Sequence, residues 1–499
     1  MATQYYIYID WDDNGTFTDE GGRVIRFNIQ RGKRRTVEKD GYAHVNPGMA
    51  YLTLDNYDGR YDPFNTSGEL YGYILPNRVV RIKATDGTLT YNLFTGFIRD
   101  VRPQRGFQGR SEAQIVCSDG LDWLQEQNCE HGDVQTDYLV NEAINDLTVA
   151  AGWPFADTSG WIFPMIFETN SELGGTGIEN NGDTMPYWWS DPKKTVLEAI
   201  NELENTWAGN AFVATDGTFS YEARIYGLDP KVTITQSELL KDMELQQPWE
   251  EIKNRIRIGA HPRRESGSIE IWRLSDIPYI GASGTLTIWA EYQDEGEWAP
   301  AKSVTTPVAT TDYTANTEEG GGGADKTAQI SISMTDYATE AKLEITNNDA
   351  GGVYLTLMKL RGELYQDESK TFAIESDTVS INDYGRRDMT VNEIWTQESQ
   401  EAADHAGFAI YLYADPRKVP WIRFEERPTY QFAYDLFDGV VLDIDKLGID
   451  GDYYITYIEH DWQATRGCRT TWRLEPDPED VLGYWIFPET FETNTILGW

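Results

Sequence analysis

Six short apolar runs between residues 5 and 118 alternate apolar with polar at every second position: "YYIYI", "RVIRFNI", "AYLTL", "RVVRIKA", "LFTGFIRDV" and "AQIVCSD". Asn, Asp, Gly and Pro separate them. Side chains on a strand point to two faces in turn, so a period of two means strands with one buried face. Strands this short and this closely spaced predict a small barrel or sandwich over residues 1–130.

The pattern then changes twice. "TDYLVNEAINDLTVAAG" predicts a helix over about 137–152 that ends at a Gly. "DPKKTVLEAINELENTW" predicts a second, with Asp191 as cap before Pro192 and an apolar stripe of Val196, Ile200, Leu203 and Trp207. "GNAFVATDGTFSYEARI" then predicts a hairpin turning at Asp216–Gly217, giving a small α+β domain over 131–250. Alternation returns over 262–376, with a glycine-rich loop tip at Gly320–Gly323, and predicts a β-sandwich inserted into another domain. No helix carrying Lys-Ser/Thr follows those glycines, so they form no phosphate loop. Residues 251–261 and 377–475, with a helix near Gln397–Tyr413, supply a second barrel-like domain, and 476–499 remain as a terminal arm.

One segment recurs: "WIFPMIFETNSELG" (161–174) returns as "WIFPETFETNTILG" (485–498). It is too short to fold alone, and its Trp161, Phe163 and Phe167, with Trp485, Phe487 and Phe491 in the second copy, need covering. The two copies are read either as docking arms on equivalent surfaces of neighbouring subunits or as surface hairpins closed on their own domains.

The formal net charge is −40, from 42 basic and 82 acidic residues among 499. That excludes a protein that holds nucleic acid by its phosphates. With 13% aromatic residues the acidity is not that of a disordered chain. Cys117, Cys129 and Cys468 are too few and too scattered for a disulfide framework, which suits a reducing cytoplasm. No signal segment and no run of about 18 apolar residues is present, so a soluble chain without a membrane span or an encoded export route is expected.

A search for catalysis finds little. His44, His131, His261, His405 and His460 never fall within one helical turn of each other, and no zinc pattern or GxSxG elbow occurs. Asp119/Asp122 and Asp443/Asp445 are carboxylate pairs of the kind a glycosidase uses, but each sits at an ordinary strand or turn edge. No catalytic residue, no enzyme activity and no cofactor is therefore expected. The stretch "IDWDDNGTFTDEGG" places Asp10, Asp12 and Asn14 on alternate positions before Gly15, as a calcium loop does. An EF-hand would need Glu at its twelfth position, where Gly21 stands with Glu20 one place early, and strands rather than helices flank the loop. What remains is an acidic hairpin tip in which Asp10, Asp12 and Asn14 are candidate ligands of a structural Ca2+.

Residues 50–103, "AYLTLDNYDGRYDPFNTSGELYGYILPNRVVRIKATDGTLTYNLFTGFIRDVRP", carry the most specific signal. They resemble the N-terminal domain of tailed-bacteriophage minor tail proteins, in which LDN-DGR-xP-N is followed by P-R-VRI-A and LF-G-I. "DWDDNGTFTDEGGRV", "AGWP", "DGTFSYEARI", "EIKNRIRI", "DYGRRDMTVN", "AADHAGFAIYLYADPRK", "GDYYITYIEHDW" and the terminal "GYWIFPETFETNTILGW" follow in the order of that family's baseplate hub. The resemblance implies a mainly β phage tail hub fold with two β-barrel-like domains, a small α+β domain and an inserted β-sandwich. It further implies a structural hub of a tail tip or baseplate, a homotrimeric ring passing DNA and tape-measure protein without specific nucleic-acid binding. Its implied partners are the distal tail or tail tube protein, the tape-measure protein and tail-tip or fibre proteins. Its implied place is the virion, after synthesis in the host cytoplasm. A distal tail ring component, and a carbohydrate-binding or glycan-hydrolysing β protein, are the alternatives. The first WIFP copy and the 262–376 insertion have no counterpart in the resemblance, and no peptidase or lysin domain is recognisable.

Overall fold

The strand alternation of the first 118 residues becomes seven strands: β1 (Gln4–Ile9), β2 (Thr18–Asp19), β3 (Val24–Gly32), β4 (Asn46–Asp55), β5 (Val79–Thr85), β6 (Thr90–Arg105) and β7 (Ser111–Ser118). The computed structural model describes residues 3–105, 111–153, 184–222, 230–236, 243–425 and 427–477. Antiparallel pairing runs in the order β3-β4-β7-β6-β5-β1-β2. The apolar members of the alternation, among them Ile7, Ile9, Phe27, Ile29, Leu52, Leu54, Ile82, Phe94 and Ile115, pack together on one face.

The sheet does not close into the expected barrel. Closure needs the outer edge of β3, and a strand from the other end of the chain occupies it: Ile449–Gln463 pairs with β3 from Arg26↔Gln463 to Gly32↔Tyr457. Gly32 is required at the end of that pairing. Its φ is +94°, and a Cβ there would lie 2.2 Å from the carbonyl oxygen of Thr456. The same long strand pairs with Gly439–Ile444 through its first half and with Gly467–Pro476 along its opposite edge. Val419–Glu425 and Met243–Gln246 continue the order outward. The first and last parts of the chain thus share one open sheet, and no sheet closes among the described residues. Trp462 completes the join by stacking on Phe27 with ring centres 5.3 Å apart.

Between these parts the helices start later than the sequence predicts. The first is Val140–Ala150, because Gln135–Leu139 is claimed by pairing with Thr184–Trp188. The second is Val196–Trp207, capped by Thr195 in a reciprocal box with Glu198. Asp191 instead closes a turn before it, accepting from the backbone N–H of Lys193 and Lys194. The stripe of Val196, Ile200, Leu203 and Trp207 is buried as expected, and the hairpin turns at Asp216–Gly217. Both helices share one core with the closing strands through Ile422, Phe437, Leu442 and Trp472. A separate core gathers Ile271, Tyr292, Leu343, Ile345, Leu355 and Leu360. In a fourth, Ala402, Ala406 and Ala409 let the helix Ser399–Tyr413 sit close on the strands Arg255–Ala260 and Asp388–Glu393.

Where these regions meet, the chain buries charge. Arg473, 2% exposed at its side chain, donates to Glu251 (3.1 Å) and to Glu475, and Arg417 lies 2.6 Å from Glu475 and 3.1 Å from Glu251. Thr36, from the loop after β3, donates to the same Glu475. The two arginines hold the Glu475 carboxyl below the usual carboxylate range although burial opposes this. Nearby, Arg31 reaches Asp435 (2.6 Å) and the carbonyl of Val213, Lys33 reaches Asn210 (2.5 Å), and His44 lies 2.7 Å from Glu204. Residues 31–44 are therefore stitched both to the helical region and to the closing strands.

Candidate functional site

The acidic hairpin tip of residues 10–20 and the 50–103 motif prove to be two halves of one construction. The segment between β4 and β5 folds as five consecutive turns, in which the N–H groups of Gly59, Asp62, Asn65, Gly68 and Tyr71 each bond the carbonyl three residues earlier. Gly59 takes φ +70°, which the motif's "DGR" permits. With its backbone satisfied locally, the loop needs only a few side chains to fasten it. Tyr61 and Leu70 point into the core of the β1–β7 sheet.

Glu20 is the fastener. It is 3% exposed, and accepts from Trp11 Nε1 (2.9 Å), Arg60 Nη2 (2.9 Å) and Tyr61 Oη (2.5 Å). Burial first, and then the bond to Glu20, push the Tyr61 hydroxyl well above its ordinary range, so it remains a donor. Arg60 also pairs with Glu69, and Arg23 grips Asp58 through two bonds of 3.0 and 2.7 Å. Asn56 accepts from the N–H of Tyr61 at 2.9 Å. Ile74 also packs against the core of the β1–β7 sheet, while other large side chains of the loop face outward: Tyr57 is 82% exposed, Phe64 85%, Tyr71 50%, and Tyr73 and Leu75 47% each. Five large side chains left exposed on one held loop are a candidate contact with another protein. Sequence reading passed over it, although so many aromatics in a segment of turns was the available signal.

The cation ligands expected in the hairpin tip have partners within the chain. Asp10 accepts from the backbone N–H of Asn14 (3.2 Å) and Gly15 (2.8 Å), and Asn14 donates to Asp12 (2.6 Å) while accepting from the N–H of Thr16. Asp13 pairs with Arg78 at 3.0 Å. Among the described residues no group of three or more His, Cys, Asp or Glu is placed to hold a metal ion. The expected contact residues Trp161, Phe163, Phe167, Trp485, Phe487 and Phe491 lie outside the described residues.

The other candidates are dispersed. Asp119 caps the helix Gly120–Glu126 and accepts from the N–H of Gly48 and Leu121, with burial pushing it up to about 7. Asp122 is bound by Ser118 and Arg99. Asp443 stands across a strand pair from Asp450. His405 is buried against Glu393 and His460 against Thr470, in separate places. All three cysteines are free and buried, and burial pushes Cys129 and Cys468 up to about 12. A cleft of about 580 Å³ has Trp188, Trp189, Trp298 and Trp395 in its wall. Trp188, Trp189 and Trp395 are only 5–6% exposed, and the Arg263 guanidinium stands over Trp189 and Trp395 at 4.9 and 5.6 Å. The ring faces of Trp189 and Trp395 are thereby covered.

In overall fold the chain is similar to a tail protein from Neisseria meningitidis MC58, with a TM-score of 0.51 and 11% identity over 96% of this chain and 98% of that one. It also aligns with the 43 kDa tail protein of prophage MuSo2 from Shewanella oneidensis (TM-score 0.49, 10% identity, 96% and 99% covered). A third alignment is to a prophage tail protein from Listeria monocytogenes EGD-e (TM-score 0.40, 8% identity, 96% and 100% covered). No protein-family profile matches the chain, and no curated protein matches it by sequence. The Neisseria likeness, at this identity, is one of fold, and it extends over nearly the whole of both chains.

Proposed function

From the fold of a phage tail protein, we propose that this chain is a structural hub of a tail tip or baseplate. Three copies form a ring that joins the tail tube to the tip and lets DNA and tape-measure protein pass. The observation that carries the reading is the likeness to a tail protein along 96% of this chain. The charge supports it, because a net −40 keeps a polyanion from adhering to the wall of a passage. The held loop of Tyr57, Phe64, Tyr71, Tyr73 and Leu75 supplies a contact between copies, and the two WIFP segments act as docking arms. The ring's neighbours are then the distal tail or tail tube protein, the tape-measure protein and tail-tip or fibre proteins, in a virion tail assembled in the host cytoplasm. Its role is mechanical rather than catalytic.

Light scattering after gel filtration, together with low-resolution imaging, tests this. A three-chain mass and a ring with a central opening are expected. A stable monomer that hydrolyses glycans would overturn the reading, and a six-chain ring would favour a distal tail component instead.

A further inference from the structure

The strands Thr371–Ser376, Arg255–Ala260 and Asp388–Glu393 form a three-stranded sheet in that order. Ile256, Ile258, Met389 and Val391 face the helix Ser399–Tyr413. The other face is open, and Thr371–Ser376 is an edge that pairs with no further strand among the described residues. That edge is apolar on its open face, with Phe372 42% and Ile374 46% exposed. The Phe372 ring lies across Gly259, where a Cβ would come within 3.0 Å of it. The Arg257 guanidinium stands 3.6 Å above the same ring. No carboxylate pairs with Arg257 among the described residues, while Arg255 and Arg386 share Asp388. In a chain of net charge −40, the open face here carries Arg255 and Arg257 beside Phe372 and Ile374, while the edge strand's own charged residue is Glu375. Such an unpaired apolar edge is one that soluble proteins ordinarily cover or blunt.

We propose that this edge is the seat of the chain's own terminal segment, residues 478–499, which adds to it as a fourth strand. The inference rests on reading that segment as a docking arm, but not on the number of subunits in the ring. Three observations select it. Its charge is complementary: Glu479, Asp480, Glu489 and Glu492 are its charged side chains, with no Lys or Arg. Its sequence suits an edge, because "TFETNTIL" (490–497) follows Pro488, contains no proline and alternates Phe491, Thr493 and Thr495 with Glu492, Asn494 and Ile496. Its point of departure is close to the sheet. Asp477 is bonded to the carbonyl of Asp452, and Glu475 shares Arg473 and Arg417 with Glu251, four positions before Arg255. Twenty-two extended residues span up to about 70 Å, so reach is no obstacle to seating on the same or a neighbouring copy. The added strand would pair the open N–H and C=O groups, cover Phe372 and Ile374, and bring a carboxylate to Arg257.

Hydrogen exchange on the full chain tests the proposal. The amides of 371–376 should exchange at least tenfold more slowly in the parent than in a Thr493→Pro variant or in a chain ending at Asp477. Exchange in Arg255–Ala260 should not change in either. A peptide of residues 489–499 added to the shortened chain should restore the protection, and Arg257→Glu should weaken that restoration at low salt. If the shortened chain disturbs Arg255–Ala260, the full-length Thr493→Pro variant decides. Equal exchange of 371–376 in that variant and the parent overturns the proposal. So does restoration by a peptide of residues 165–175 but not by 489–499, which would assign the edge to the internal copy of the repeat. Protection that rises with protein concentration yet ignores both arm variants also overturns it, in favour of edge-to-edge pairing between copies. Loss of the three-chain mass with the exchange pattern intact would fault the ring and leave the arm standing.

Discussion

Replacing Glu20 tests whether the exposed aromatic loop is held from beneath. Its carboxylate is 3% exposed and binds Arg60, itself 9% exposed, together with the indole of Trp11 and the hydroxyl of the fully buried Tyr61. Removing one partner of a buried ion pair costs about 3–5 kcal/mol, because the other charge stays buried. Arg60 keeps Glu69, but that residue is 75% exposed at its side chain, and such an exposed partner returns at most about 1 kcal/mol. Glu20→Gln keeps the shape and can still accept from Trp11, so a loss of about 2–4 kcal/mol is expected. Glu20→Ala also leaves the buried donors of Trp11 and Tyr61 unsatisfied, at about 1–3 kcal/mol each, and should cost clearly more. Urea unfolding followed by tryptophan emission reads the stability, and limited proteolysis between residues 56 and 75 reads the loop. The expected order is parent, Gln, then Ala in both assays, with assembled mass falling alongside. A Glu20→Gln protein within about 0.5 kcal/mol of the parent, with the loop equally resistant, would refute the argument.

Tyr57→Asp with Phe64→Asp should change stability by less than about 0.5 kcal/mol, since both side chains lie in solvent, yet shift the mass toward one chain. An unchanged mass would remove the loop from the contact. Burial lowers Lys33 from 10.5 to about 8, so holding it charged at pH 7 costs the fold about 3 kcal/mol. Between pH 8 and 10.5 the unfolded chain therefore binds more protons at this residue than the folded one, and stability gains from deprotonation as pH rises through that window. Lys33→Met should flatten that rise in a series of urea titrations. In the buried ionic cluster, Glu475→Gln leaves two guanidinium groups to Glu251 alone and should cost about 3–5 kcal/mol, whereas Arg473→Met with Glu475→Leu should cost less than the sum of the single changes. Calcium titration should give no heat and no gain in melting temperature, because Asp10 and Asp12 already accept bonds from their own loop. A gain that Asp12→Ala abolishes would restore the cation.

The local elements were legible in the sequence wherever a period carried them. The strand alternation of residues 5–118, the stripe from Val196 to Trp207 and the turn at Asp216–Gly217 each follow from side-chain direction alone. What could not be read was which edge meets which. Nothing near Val24–Gly32 announces a partner some 430 positions later, because pairing is decided by backbone groups that every residue has. The helix starts moved for a related reason: Gln135–Leu139 has helix-compatible residues, but the partner at Thr184–Trp188 is out of sight of any local window. Glu20 was noticed only as a carboxylate in the wrong place for calcium. Its place is explained by Arg60 and Tyr61, forty residues away, which periodicity does not connect to it.

These misses have a common physical form, and it bears on how the molecule works as a part. Contacts between distant segments within the chain use buried charges and shared strand edges: Arg31 with Asp435, Arg473 with Glu251, β3 with Ile449–Gln463. Such contacts demand defined geometry, because a buried charge that slips loses its partner while still paying for desolvation. The surfaces proposed above as contacts are of the opposite kind, apolar side chains on a held loop and an open strand edge, which tolerate approach from solvent before locking. A chain that folds alone before entering the proposed ring would benefit from that separation. In the proposed ring, charge sets the internal register, so that the arm meets the open edge and a neighbouring copy meets the aromatic loop on a frame already fixed.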